Sequence, residues 1–250
     1  MNERPTRLDQ RLVDLGLAPS RARAQALIRA GCVTVAGEAA DKPSRKVDPA
    51  AEVRVTGDPN PWVSRAALKL VHALDLWALD PAGAAALDVG ASTGGFTEVL
   101  LARGATRVFA LDVGHGQLHP RVAADRRVVS LEGVNARAIP AGTVPPVDWI
   151  VSDVSFIGLE KALPGPMTLA RPGARLVALI KPQFEAGPAL VGKGGLVVDP
   201  AVHVAVRGRI RDFLEGAGWR VTGEAESPIT GGDGNREFLI AALAPGGGAR

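Results

Sequence analysis

Four ionisable side chains stand where an alternating pattern of strands and helices would bring them together: Lys69, Asp153, Lys181 and Glu237. Lys69 falls on a helix leading into the second part of the chain, Asp153 and Lys181 each close an apolar run, and Glu237 opens the last such run. Alone, each reads as an ordinary surface charge. Together, two amines among two carboxylates suit removal of a proton from a group of high pKa. A lysine serves as such a base when burial and a second cation disfavour its charged form. Lys181 is the candidate base and Lys69 the neighbouring cation, with Asp153 and Glu237 orienting the amines. Holding the attacking oxygen in line with its electrophile is a second source of rate. The single cysteine, Cys32, lies outside this part of the chain, so the constellation rests on lysines and not on a thiol nucleophile, which favours a hydroxyl as the group that loses its proton.

A second constellation occupies Leu87-Asp88-Val89-Gly90-Ala91-Ser92-Thr93-Gly94-Gly95-Phe96, a strand passing through a glycine-rich turn into a helix. Glycines let the backbone approach a ligand, and a helix N-terminus offers unpaired amides, so the loop suits a nucleotide-like cofactor. Its glycines lack the G-x-G-x-x-G spacing of a pyrophosphate loop, which argues against a dinucleotide. The next strand ends at Asp112, placed to accept hydrogen bonds from both hydroxyls of a ribose, whichever cofactor carries it.

The elements that must position these groups are legible as short apolar runs at 85–88, 108–112, 128–131, 147–153 and 176–181. They predict buried parallel strands, and the helical stretches between them imply a doubly wound α/β sheet with ligands at the carboxyl ends of its strands. Strands at 219–225 and 237–243 are expected to form a hairpin closing the sheet. A helix over 64–76 has Ala67, Leu68, Val71 and Leu74 on one side, and Lys69 falls off that stripe.

Ahead of this lies a small α+β unit. A helix over 7–17 is closed by Gly16, a second is capped by Ser20 and carries Ala24, Leu27 and Ile28, and strands are expected at 32–37 and 52–55. From Arg4 to Arg29 there are six arginines against two acids, Asp9 and Asp14, in a chain of net charge +3 and isoelectric point near 9.4. A basic face of this kind suits a polyanion, a solvated surface being the plainer alternative. The predicted domains are 1–56 and 64–250, joined by a Pro- and Gly-bearing linker at 57–63, and a glycine-rich tail begins at Pro245. Trp62 either anchors the linker or stacks on a base.

With 250 residues, 46% of them hydrophobic and 22% charged, the chain is globular rather than disordered. No apolar run approaches the roughly 20 residues of a membrane span, the first residues do not resemble a secretory signal, and one cysteine makes no disulfide framework. A cytoplasmic protein is expected. His72, His119 and His203 lack metal-ligand spacing, and no metal is expected. Oligomeric state leaves no mark on the sequence.

Two resemblances sharpen this reading. Arg7-Leu8-Asp9, Ser20-Arg21-Ala22-Arg23-Ala24 and Leu27-Ile28-Arg29-Ala30-Gly31-Cys32-Val33-Thr34-Val35 resemble the S-four RNA-binding fold. That resemblance implies RNA contacts at Arg7, Ser20, Arg21, Arg23 and Arg29. Ser64-Arg65-Ala66-Ala67-Leu68-Lys69-Leu70, Asp88 to Thr97, Asp112-Val113-Gly114-His115-Gly116-Gln117-Leu118, Ser152-Asp153-Val154-Ser155-Phe156-Ile157 and Ile180-Lys181-Pro182-Gln183-Phe184-Glu185 resemble the TlyA family. Members of that family carry the name hemolysin but are similar to FtsJ-type 2'-O-methyltransferases.

The resemblance implies a Rossmann-like class I methyltransferase fold and S-adenosylmethionine as cofactor. It further implies methylation of cytidine 2'-hydroxyls in ribosomal RNA, with ribosomal subunits as partners. Lys69, Asp153, Lys181 and Glu237 match the family's Lys-Asp-Lys-Glu tetrad. Cofactor contacts pass to Asp88, Gly90, Ser92, Gly94, Gly95, Phe96, Asp112, Val113, Asn135 and Asp153. His115 stands where the family usually has tyrosine, and Glu132-Gly133-Val134-Asn135 departs from the common form. The target subunit stays open: members acting on both subunits usually extend further past the last strand, whereas members acting on one tend to trim the N-terminal module that this chain keeps. The rival readings are an RNA-binding protein with an inactive methyltransferase domain, a methyltransferase of another RNA, and a pore-forming cytolysin, the last lacking any membrane-inserting segment.

Overall fold

The structure is a computed structural model that describes residues 5–57 and 61–246. Arg4, the linker residues Asp58, Pro59 and Asn60, and the tail residues Gly247 and Gly248 lie outside it. The chain divides into two compact units, Met1–Pro61 and Trp62–Arg250.

In the first unit, β1 (Thr6–Arg7) leads into α1 (Leu8–Asp14), followed by α2 (Arg21–Arg29), β2 (Val33–Val35), β3 (Glu38–Ala39), β4 (Lys46–Val47) and β5 (Val53–Val55). β2 is the centre of an antiparallel sheet of order β3-β2-β5, and β1 pairs with β4. Leu8 and Leu12 of α1 meet Ala24, Leu27 and Ile28 of α2 over Val33 and Val35, all buried. The first helix stops at Asp14, short of the expected end, and leaves Leu15 and Leu17 partly exposed. The three two-residue strands, β1, β3 and β4, are too short to leave an alternation in the sequence.

The second unit contains α3 (Ala67–Leu76), β6 (Ala85–Val89), α4 (Gly95–Ala102), β7 (Arg107–Asp112), α5 (Pro120–Ala123), β8 (Val128–Glu132), β9 (Val147–Ser152), α6 (Leu159–Ala162), α7 (Pro164–Met167), β10 (Ala170–Ile180), α8 (Pro182–Glu185), α9 (Pro200–Gly216), β11 (Arg220–Glu226) and β12 (Phe238–Leu243). Its sheet has the order β11-β12-β10-β9-β6-β7-β8. β6 to β10 run parallel, and β12 runs antiparallel to both β10 and β11. Chain order reverses at β6, which has β7 on one side and β9 on the other. The crevice outside the carboxyl ends of these strands is where such sheets bind ligands.

Alternate residues of each strand feed two cores. Leu87, Val89, Leu111, Ile150, Leu176, Ala178 and Ile180 face Leu159 and Leu163 and the α9 residues Val206, Ile210 and Leu214. Ala86, Val108, Trp149, Val151, Val177 and Leu179 face α3 and α4. A sheet covered on both faces explains why its strands read as continuous apolar runs, each fully buried aliphatic side chain contributing about 1.5–3 kcal/mol.

The stripe on α3 differs from the one expected. Ala67, Leu70, Ala73 and Leu74 are buried, together with Lys69, whereas Leu68 and Val71 are half-buried. Lys69 therefore turns inward, not away from the core. Trp62 packs against the same cluster, and Val63 donates its amide to Glu98 Oε2 at 2.7 Å, so the second unit starts at the residues expected to end the linker.

Candidate active site and basic module

The carboxyl ends of β9 and β10, the first turns of α3 and the residue before β12 converge. Lys69 Nζ donates to Glu237 Oε2 at 2.6 Å and lies 3.8 Å from Asp153 Oδ2. Lys181 Nζ is 2.6 Å from Asp153 Oδ1, an ion pair out of hydrogen-bond alignment, and donates to Ser155 Oγ at 2.8 Å. The four sequence-predicted residues thus form one continuous chain, Glu237–Lys69–Asp153–Lys181, which ends on Ser155. Glu237 is 2% exposed, Lys69 6% and Lys181 8%. Burial pushes the Glu237 carboxyl up from its ordinary value, against the pull of Lys69 and Lys181. Buried charges of this kind persist only when paired, and here two cations balance two anions.

Beside this quartet lies a cavity of about 620 Å³ at the switch point, whose lining includes Gly90, Ser92, Asp112, Val113, Asn135, Asp153 and Phe156. A narrower cleft of about 140 Å³ shares Gly90, Ser92, Asp153 and Ser155 with it and reaches Lys181, Gly95 and Phe96. Asp112 is pinned by two backbone amides: Ser92 donates to Oδ2 and Gly114 to Oδ1, both at 2.8 Å. Val113 is 65% exposed, and the Asn135 side chain accepts from Arg137 N at 2.9 Å, which fixes the turn that walls the cavity.

The glycine loop is tightly packed within the protein. Gly90 has φ +83°, and a Cβ there would sit 3.1 Å from the Asp153 carbonyl oxygen. At Gly95 a Cβ would sit 2.6 Å from Ser64 Oγ and 3.2 Å from Ala67 N. Both glycines thus also make room for the protein's own atoms, and α4 begins hard against the entry to α3. Gly94, the left-handed residue before α4, would place a Cβ 2.7 Å from Leu118 and lines neither cavity. Asp88 lies beneath this loop. Its side chain is fully buried, accepts from Thr97 Oγ1 at 2.7 Å and lines neither cavity. Burial raises its pKa to about 7, against the pull of the Thr97 hydrogen bond. It holds the first turn of α4 from beneath.

Ser155, Phe156 and Glu185 were quoted in motifs without a role. Phe156 is 90% exposed in a left-handed backbone conformation at φ +65°, with its ring 5.1 Å from that of Phe184. Glu185 accepts from Leu159 N at 2.8 Å and meets Arg209 at 3.2 Å, tying the helix after Lys181 to the helix after Phe156. His115, in place of the usual tyrosine, lies over Gly133, where a Cβ would meet its ring at 2.6 Å. His203 is buried against Val197 and Phe238, and His119 caps α5 through Nδ1.

In the first unit, Arg7 and Arg21 converge on Asp9. Arg7 grips it through Nε and Nη2, both at 3.0 Å, and Arg21 Nη2 reaches Oδ2 at 3.1 Å. Ser20 caps α2 by accepting from Arg23 N at 3.3 Å, and Arg29 is exposed in the last turn of α2.

Residues 62–243 match the FtsJ-like methyltransferase model and residues 6–53 the S4 domain model. The 16S/23S rRNA (cytidine-2'-O)-methyltransferase TlyA of Mycobacterium tuberculosis is 46% identical over 95% of this chain and 89% of its own length. Hemolysin A of Brachyspira hyodysenteriae is 38% identical over 93% of this chain and 98% of its own. A solved structure from Streptococcus thermophilus, carrying a hemolysin name, superposes with a TM-score of 0.74 at 37% identity, covering 98% of this chain and 92% of the other.

Proposed function

The chain belongs to the FtsJ-like methyltransferase family, and we propose that it methylates the 2'-hydroxyl of a cytidine in ribosomal RNA using S-adenosylmethionine. The observation that carries this reading is the cleft joining Lys181 to the larger cavity through shared walls at Gly90, Ser92, Asp153 and Ser155.

The cavity fits the cofactor in size and in donor set. Asp112 presents a carboxylate suited to ribose hydroxyls and Val113 an apolar wall for the base, with Gly90 in the lining beside them. Bound there, S-adenosylmethionine supplies an electrophilic methyl group. Lys181, with its amine in the neutral form, receives the proton that the hydroxyl loses as its oxygen attacks and afterwards releases it to solvent, Asp153 and Ser155 hold the amine in place, and Lys69 with Glu237 fixes Asp153 from behind. The methyl group goes to the ribose oxygen, and the chain's part is to take up at Lys181 Nζ the proton displaced from that oxygen. The N-terminal unit supplies RNA affinity through Arg7, Arg21, Arg23 and Arg29, and we place the protein with ribosomes in the cytoplasm. Among the described residues no helix is long and apolar enough to cross a membrane.

The test is transfer of labelled methyl groups to isolated ribosomal subunits and intact ribosomes, with the modified ribose mapped, comparing the parent with Lys181→Ala. Lysine-dependent label at a cytidine 2'-oxygen supports the proposal and names the subunit. Cofactor binding without transfer to any of these substrates refutes it.

A further inference from the structure

The carboxylate of Asp9 has no exposed surface, yet it lies in the most arginine-rich stretch of the chain. Five donors close on it. Arg7 Nε and the amide of Gln10 meet Oδ1, each at 3.0 Å. Arg7 Nη2, Arg21 Nη2 and Gln25 Nε2 meet Oδ2 at 3.0, 3.1 and 2.8 Å. A carboxylate has about four lone-pair sites, so Asp9 is saturated and has no capacity left for an outside ligand. Arg7 holds it well below the usual carboxylate range, and the ionised form dominates near neutrality.

The arginines are in the opposite condition. The Arg7 side chain is 42% exposed and that of Arg21 52%, and each keeps N–H groups that Asp9 does not use. They come from different elements, Arg7 from β1 and Arg21 from the first turn of α2, and are brought to one oxygen only by the tertiary fold. A free arginine carries large rotamer freedom that a ligand must remove, and a side chain already fixed by a buried partner has lost it beforehand.

Resting on the reading of this unit as RNA-binding, we infer that Asp9 is a positioning residue that holds Arg7 and Arg21 as a preformed two-arginine fork for a backbone phosphate. Its effect on affinity then opposes its charge. An acid among arginines that only neutralised them would weaken RNA binding, whereas one that orders them strengthens it.

Binding of the full chain to purified 16S and 23S ribosomal RNA at roughly 100 mM salt tests this with Asp9→Asn, Arg7→Ala/Arg21→Ala, the triple variant and Arg21→Lys. Asp9→Asn is expected to weaken binding about 5- to 30-fold despite adding net positive charge, and to add nothing in the Arg7→Ala/Arg21→Ala background. A purely structural role would weaken both backgrounds alike and overturns the inference, as does unchanged or tighter binding by Asp9→Asn. Should Asp9→Asn unfold the module in circular dichroism, Arg21→Lys decides: it is exposed and keeps its charge but lacks the planar fork, so parent-like affinity overturns the proposal and weaker binding upholds it. Parent-like binding by Arg7→Ala/Arg21→Ala instead removes the RNA-binding reading beneath it.

Discussion

Replacing Asp88 by asparagine removes a charge that the fold keeps out of water. The carboxylate sits under the cofactor loop with Thr97 bonded to one oxygen and no partner at the other, and burial lifts its pKa from 3.8 to about 7. Because the folded-state value is the higher, the protonated form favours folding. The contribution is present in full below the ordinary carboxylate value and is lost as pH climbs through about 7. A tenfold change in proton affinity corresponds to about 1.4 kcal/mol, so the full penalty of ionisation approaches about 4 kcal/mol, and about 2 to 3 kcal/mol of it falls between about pH 5 and pH 8. Asparagine keeps the shape and still accepts from Thr97. The stability of Asp88→Asn relative to the parent should therefore rise by that amount across the interval, a difference of roughly 5 to 10 °C in melting temperature for a chain of this size. Urea unfolding of both proteins at the two pH values reads it directly. A relative stability that does not change with pH would refute a buried, ionisable Asp88.

Lys69→Met leaves Glu237 buried without its partner and should destabilise the protein by about 3–5 kcal/mol near pH 8. The deficit should shrink at lower pH, where the already raised Glu237 carboxyl takes up a proton; thermal melts at two pH values check it. Gly95→Ala should cost about 1–3 kcal/mol by overpacking against Ser64, with loss of cofactor affinity in calorimetry, and Ser64→Ala should restore part of both. Binding of the parent to ribosomal RNA should fall steeply as salt is raised from about 50 to 200 mM, and the slope should flatten in Arg7→Ala/Arg21→Ala.

The parallel strands were legible because a sheet buried on both faces writes itself as unbroken apolar runs, and β11 and β12 read as a hairpin because a methyltransferase-type sheet is closed by one. The packing face of α3 was less legible. The helix packs through Ala67 and Ala73, whose small side chains mark a stripe less plainly than Leu68 and Val71, so Lys69 reads as lying off the stripe although it is buried. The resemblance implies cofactor contacts at Asp88 and Gly94, and the burial of Asp88 beneath the loop is a matter of depth, which leaves no periodicity in the sequence. Asp9 reads in the sequence as a charge among arginines and as part of the Arg7-Leu8-Asp9 motif, without a role, since the convergence of β1 and α2 on one carboxylate is tertiary. Ser155 and Glu185 sit inside motifs that were recognised, but their roles depend on partners 26 residues away.

The ion pair between Lys69 and Glu237 joins positions 168 residues apart, and β12, which carries Glu237 into place, pairs between β10 and β11. No fragment lacking either end of the second unit can assemble the quartet, however well its strands form. Activity is therefore a report on completed topology: two complementary fragments, each silent alone, should recover it only when the hairpin of β11 and β12 docks, which makes the enzyme its own sensor of assembly.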